Sequence, residues 1–427
     1  MRSKAMGSPP ATKRCRTDGD RCSSDDAVLE GSDAVLEGSD AVLEGSDAVL
    51  EGSDAVLALA ARCTSTPGAP AAAELFAHLA AALSETAPPP ADADAYRAAL
   101  VAVARAGAAA RAAAGRHRAA VCMIDGAYLR CRDEKERKRL SGEAEALHGA
   151  ALAEAAVEAP DAWPDASLDA APPANGLARV RRTADAADAV ARAAPAVLEG
   201  AVGHWPALAA WRSPRALVAA AGARLVPVEV GANHGGGSGG RAQQRLVSLG
   251  DYVAAVLLPL ARGDAPTLGP LEAPVAVSEV VPVTSAATPA YLAQHDLLAQ
   301  CRALAAAAPW RATFGDVLRA GPRARAGLEP IVSAWIAPRG VSTPLHFDRH
   351  PNLLVHLVGA KRVRLWPPGA DLPRHAAPAD NTSPLDARDV PGALAADLAP
   401  GDVLFVPEGW WHFVETPRTS ISISIWY

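Results

Sequence analysis

The polar and apolar positions of this chain follow three successive patterns. Residues 1–25 are polar throughout and predict a disordered tail. Residues 26–57 repeat DAVLEGS almost without change. A coiled coil needs apolar positions three and four apart. Here Ala, Val and Leu are contiguous, and a glycine interrupts each unit at about 1 kcal/mol. The stretch reads as a repeat expansion without chemistry, and residues 1–69 are expected to be low-complexity and disordered. From 70 to 158, Leu, Val, Tyr and Met recur at spacings of three and four, the period of amphipathic helices. AAAELFAHLAAALSE, a long run from DADAYRAAL to DGAYLRC read as one helix, and RDEKERKRLSGEAEAL predict a small helical domain. Its charged run near 132–139 mixes Asp133, Glu134 and Glu136 with the bases, which suits a solvated helix face.

A Pro-rich linker is expected over 159–177. Beyond it the period changes. Short β-branched runs (APAVLEG, RLVPVEVG, EPIVSAWIAP, NLLVHLVG, KRVRLW, DVLFVPEG, SISISIWY) are separated by Gly, Pro and Asp turns. Many short strands with turn signals predict an all-β sandwich or barrel over 178–427. Helical inserts are expected near 249–261 and 289–307. HGGGSGG (234–240) lacks the strand-to-helix context of a phosphate cradle and reads as a loop.

Composition changes this picture little. The formal charge of −6 gives no reason to expect bulk nucleic-acid binding. The 50% apolar content is inflated by alanine, which buries little surface. The six cysteines form no C-x-x-C pair, so neither disulfides nor zinc is expected, and a reducing compartment fits. The N-terminus lacks the apolar core of a signal peptide, and no run reaches the ~20 apolar residues of a membrane span. The expectation is a soluble intracellular protein, nuclear or cytoplasmic; the short KRCR cluster reads either as a nuclear signal or as part of a solvated tail.

Candidate chemistry sits in STPLHFDRHPNLLVHLVGAKRVRLWPP (342–368), where three histidines, an aspartate and a lysine interrupt two strands. Burying such groups costs a few kcal/mol unless something pairs with them. Alternation places His346 and Asp348 on one strand face. A third ligand is available at His412, in PEGWWHFVE. Two histidines and a carboxylate on one face are the facial-triad set of non-haem iron(II) oxygenases. Lys361 is the only lysine after residue 138, in a chain with 36 arginines and 5 lysines. A compact ammonium is evidently wanted there. Gly359–Ala360 predicts a turn that brings Lys361 back antiparallel to 352–358, where it would reach the far carboxylate of a dicarboxylate.

These motifs, with PAVLEGAVGHWPALAAW, YLAQHDLL and NTSPLD, resemble the Jumonji-C branch of the cupin-fold 2-oxoglutarate oxygenases over about 178–427. The likeness is closest to the branch's small hydroxylase-type members. It implies a double-stranded β-helix (a cupin jelly roll) after a helical domain. It further implies that His346, Asp348 and His412 bind Fe(II), and that Lys361, Thr343, Asn352 and Tyr291 hold the co-substrate 2-oxoglutarate. Trp335 and Trp426 would wall the pocket, with O₂ as oxidant. Glu229, in VPVEVG, stands where that subgroup places an acid facing a basic side chain of a protein or peptide substrate. His350 and His356 depart from the pattern and are not expected to be ligands.

The function implied is hydroxylation of a protein side chain, arginine-directed in that subgroup. Two alternatives remain: histone N-methyl-lysine demethylation by the same centre, and a non-catalytic cupin that binds a partner. No membrane or direct nucleic-acid partner is expected, and the aromatic C-terminal strand suits a homodimer.

Overall fold

The computed structural model describes residues 58, 60–61, 69–83, 92–166, 177–231, 243–267, 289–377 and 379–427. The N-terminal tail, the DAVLEGS repeats and the HGGGSGG loop lie outside them. No helix among the described residues is long and apolar enough to cross a membrane.

From Ala69 on, the described residues form the helices α1 (Ala69–Ala82), α2 (Ala93–Ala113), α3 (His117–Arg130) and α4 (Glu134–Ala155). The long run read as one helix is broken between α2 and α3. Gly115, at φ +74°, takes the left-handed conformation that glycine adopts without penalty. The break lets α2 and α3 fold back on each other, burying Leu100, Val103, Met123 and Tyr128 with Phe76 and Leu79 of α1. Asp133 starts α4 by accepting the Glu136 N–H at 2.7 Å.

Twelve strands follow: β1 (Ala178–Arg179), β2 (Arg181–Thr183), β3 (Ala196–Leu198), β4 (Leu225–Val230), β5 (Gln243–Ser248), β6 (Ala290–His295), β7 (Ile331–Ala337), β8 (Ser342–Phe347), β9 (Asn352–Trp366), β10 (Leu394–Leu398), β11 (Val403–Val406) and β12 (Trp411–Trp426). The domain these strands build is mainly β, in a jelly-roll arrangement around two long strands. β9 and β12 pair antiparallel along their whole length, and both bend. The first half of β9 also pairs with β11, and the second half with β10. The first part of β12 pairs with β8, and its end with β7. β6, β4 and β5 extend the sheet beyond β7.

Two expectations are corrected here. Gly359–Ala360 is not a hairpin turn; it is the bend inside β9. Gly359 has φ +78°, and a Cβ there would overlap the Thr419 carbonyl oxygen of β12. The strand changes direction without reversing because β12 bends beside it, with register shifts between Glu415 and Ser422. The segment 289–307 is helical only from Leu297; residues 290–295 form β6. Its apolar run is too short for periodicity to separate helix from strand, and pairing with β4 and β7 decides the matter.

Alternation along SISISIW sorts the faces. Ile421, Ile423 and Ile425 join Leu353, Val355 and Leu357 in the main core, under helices Pro214–Ala221 and Trp310–Arg319. Ser420, Ser422, Ser424 and Trp426 take the opposite face. The helical region is held to the strands by buried polar contacts. Asp125 of α3 accepts from Arg224 Nη2 at 2.7 Å and from the Leu225 N–H at 2.8 Å, with both side chains almost fully buried. Ser141 of α4 donates to the Gln300 carbonyl at 2.6 Å. Residues at the start of the Pro-rich stretch also pack: Trp163 is buried and donates to the Trp211 carbonyl, and Asp165 accepts the Thr419 N–H.

Candidate active site

A cavity opens among β6, β7, β8, β9, β11 and β12. Tyr291, Trp335, Thr343, His346, Asp348, Asn352, Lys361, His412 and Trp426 line it. The candidate metal and co-substrate residues named from the sequence are therefore all brought to one place, although they come from five strands and the segment just after β8, whereas Glu229 is not in the lining.

His346, near the end of β8, stands directly opposite His412, second in β12. Asp348 follows β8 immediately. Candidate ligand atoms of the three lie within 4.8 Å of one another. His346 Nε2 is 3.9 Å from Asp348 Oδ1, and His412 Nε2 is 3.7 Å from Asp348 Oδ2. Ligands about 2.1 Å from a metal sit ~3 Å apart at right angles and ~4.2 Å apart when opposed, so these separations suit a facial set after slight closure. Each imidazole is turned the same way. His346 Nδ1 lies 2.7 Å from the Pro344 carbonyl, and His412 Nδ1 lies 3.0 Å from the Trp410 carbonyl. A carbonyl only accepts, so each Nδ1 carries the proton and each Nε2 presents its lone pair to the cavity. Burial works to raise the Asp348 pKa. Attraction to His412 and His346 in their protonated forms, with hydrogen bonds from Trp426 and Asn352, overcomes it and holds the carboxyl below its ordinary value. The donor set thus fits a divalent iron site.

Lys361 follows the β9 bend and is almost fully buried. Burial alone depresses its pKa to about 8. None of the described residues places a carboxylate within ion-pair distance of its ammonium. A buried cation left in this state fits an anionic ligand. Tyr291 of β6 is hydrogen-bonded to Thr343 of β8, and its ring centroid lies 6.0 Å from Lys361 Nζ. Burial drives the Tyr291 phenol well above its ordinary pKa, so it stays protonated. Asn352 donates to Asp348 Oδ2 at 3.3 Å, and its Oδ1 accepts the Ile425 N–H.

Glu229 lies one strand outside this lining. It is opposite Tyr291 across the β4–β6 pair and is largely buried. His356 is fully buried beneath the cavity, with Nδ1 2.9 Å from Ser422 Oγ. Burial first, then the Lys361 charge, pushes its pKa down to about 3, so it is neutral. His350 contacts Arg323 and is not in the lining. Sequence reasoning missed Ser424, which lines the cavity and accepts from Trp335 Nε1 at 3.0 Å. The alternation of SISISI held the signal for it. Leu354, Val363, Val406 and Val414 complete the apolar wall.

A jelly roll with two imidazoles and a carboxylate on one inner face is the architecture of the cupins. The family model for the cupin-like domain matches residues 182–427, and the chain belongs to that family. Among curated relatives it is similar to lysine-specific demethylase 8 of Xenopus tropicalis, at 29% identity over 55% of this chain and 48% of the relative. Jumonji C domain-containing protein 5 of Drosophila melanogaster is 30% identical, over 55% of this chain and 54% of the relative. Lysine-specific demethylase JMJ30 of Arabidopsis thaliana is 30% identical, over 55% and 49%. The chain spans about half the length of the curated relatives it matches.

Proposed function

We propose that this chain is an iron(II)- and 2-oxoglutarate-dependent oxygenase that hydroxylates a basic side chain of a protein, arginine being the favoured target. The observation that carries the proposal is the pairing of the His346–Asp348–His412 donor set with the buried, carboxylate-free Lys361 in one cavity. Bound there, iron(II), 2-oxoglutarate and O₂ would together supply a two-electron oxidation, placing one oxygen atom on a substrate C–H bond and releasing succinate and CO₂.

The chain's own residues do the rest. His346, Asp348 and His412 would hold the metal. The Pro344 and Trp410 carbonyls keep both imidazoles in the ligating tautomer. Lys361 would receive a carboxylate of 2-oxoglutarate, with the neighbouring Tyr291–Thr343 pair and Asn352 as further polar contacts. Trp335, Trp426 and the valines exclude water, which strengthens each charge interaction inside. Glu229 contributes negative charge on the Tyr291 side, where it would draw in a guanidinium or ammonium.

The names of two of the relatives above favour a second reading, N-methyl-lysine demethylation by the same centre. One experiment separates the readings. The purified chain is loaded anaerobically with Fe(II) and 2-oxoglutarate, exposed to O₂, and assayed for succinate with arginine and methyl-lysine peptides. His346→Ala is the control. Iron- and His346-dependent succinate, with one oxygen atom added to a peptide, is the expected result. Loss of a methyl group instead means a demethylase. A protein that binds neither iron nor 2-oxoglutarate leaves only the binding-module reading.

A further inference from the structure

The inward stripe of β12 ends at Trp426. Its ring is largely buried, and a buried indole N–H needs an acceptor. Two indoles stand side by side here, Trp335 and Trp426, with ring centroids 6.4 Å apart and planes at 64°. They use different acceptors. Trp335 Nε1 donates to Ser424 Oγ, whereas Trp426 Nε1 donates to Asp348 Oδ2 at 2.8 Å. The two rings therefore share a wall but do not do the same work.

Asp348 lies just past the end of β8, its backbone carbonyl accepting the Gly409 N–H at 3.0 Å. An aspartate carboxyl turns broadly about its last torsion, so nothing in the side chain itself selects one oxygen. The Trp426 bond does. It occupies Oδ2, joined by the longer Asn352 contact, so the oxygen that lies 3.7 Å from His412 Nε2 already accepts from two donors, while Oδ1, 3.9 Å from His346 Nε2, is left to a metal. Trp426 is itself well anchored. It pairs with Ile331 of β7 and Asn352 of β9, and the next residue, Tyr427, donates its N–H to the Pro351 carbonyl and buries its ring.

We propose that Trp426 is a positioning residue for the metal site: it holds Asp348 Oδ2, so that the aspartate offers a single oxygen, Oδ1, to a metal. The proposal rests on the reading of His346, Asp348 and His412 as ligands. It assigns Trp426 a task separate from walling the co-substrate pocket. A carboxylate restricted to one oxygen leaves the metal more positions for other ligands, and groups that orient ligands in this way typically affect metal affinity 10–100-fold.

The test uses the full chain, Mn(II) as the probe, and Trp426→Phe, which keeps an aromatic ring and removes the N–H. Free Mn(II) is followed by electron paramagnetic resonance without O₂. The expected result is one Mn(II) bound by the unaltered chain and a Kd raised about 10-fold or more in the variant. Equal Mn(II) affinity reduces Trp426 to a wall and overturns the proposal while the triad reading stands. If the unaltered chain binds no Mn(II), the triad reading fails and the proposal falls with it. Should Trp426→Phe not fold, a crystal structure of the unaltered chain with Mn(II) decides: ligation through Oδ1 alone supports the proposal, and ligation through both oxygens or Oδ2 overturns it.

Discussion

His346 and His412 face each other as directly opposed residues of β8 and β12, with ring centroids 4.1 Å apart. They stand 66 positions apart in the chain, and an antiparallel pairing makes them neighbours. Both rings are locked at Nδ1 by backbone carbonyls two residues earlier. The strand pair therefore presents two nitrogen lone pairs at a fixed separation before any metal arrives.

That geometry makes the two imidazoles jointly necessary. His412→Ala removes one of three donors, and Mn(II) or Fe(II) affinity is expected to fall at least 100-fold while far-ultraviolet circular dichroism stays unchanged. Titration calorimetry of the apo chain measures it. Retained affinity in the variant would show that the ion sits elsewhere.

Lys361 predicts a pH dependence of binding and of stability. Its folded, ligand-free pKa is pushed to about 8, against an ordinary 10.5. Only the charged form attracts a carboxylate, so 2-oxoglutarate affinity should be flat below about pH 8. Above it, Kd should rise by up to tenfold per unit, because binding then requires proton uptake. For stability the sign is opposite. The fold disfavours the ammonium, so the unfolded chain holds more protons between about 8 and 10.5; the penalty is complete below 8 and relieved as pH rises through that window. Lys361→Met should therefore stabilise the apo chain by about 3 kcal/mol at pH 7, with little gain near pH 10, and lose 2-oxoglutarate binding. Denaturant melts at the two pH values check this.

Gly359 is the bend of β9. Any side chain there meets both a positive φ and the Thr419 carbonyl of the neighbouring strand. Gly359→Ala should cost about 3 kcal/mol or more and lower the urea midpoint in proportion. A midpoint near that of the unaltered chain would mean the bend relaxes freely.

Asp125 and Arg224 form a buried pair between α3 and the start of β4. Asp125→Asn strands the guanidinium, at a cost of about 3–5 kcal/mol. The double variant Asp125→Asn, Arg224→Met should recover part of that loss, since the unpaired charge is gone. Urea unfolding of the single and double variants gives the comparison, and equal losses in both would argue that packing, rather than charge, holds the two regions together.

The sequence by itself determined the features that repeat locally. Period three-to-four spacing marks the helices, and alternation puts His346 beside Asp348 and the serines of SISISI opposite the isoleucines. The scarcity of lysine singled out Lys361, and the order of motifs pointed to His412. Tertiary structure decided what depends on register and closure. Only the pairing of β6 with β4 and β7 makes Tyr291 a strand residue. Only the pairing of β12 beside β9, with the Thr419 carbonyl against Gly359, turns an expected hairpin into a bend, and it still delivers Lys361 to the cavity. Glu229 lies one strand beyond the lining because the sheet continues past β6. The bond from Trp426 to Asp348 joins residues 78 positions apart and has no local signature. A side-chain period reports which face a residue takes; which residues then meet across the barrel is set by how two bent strands pair.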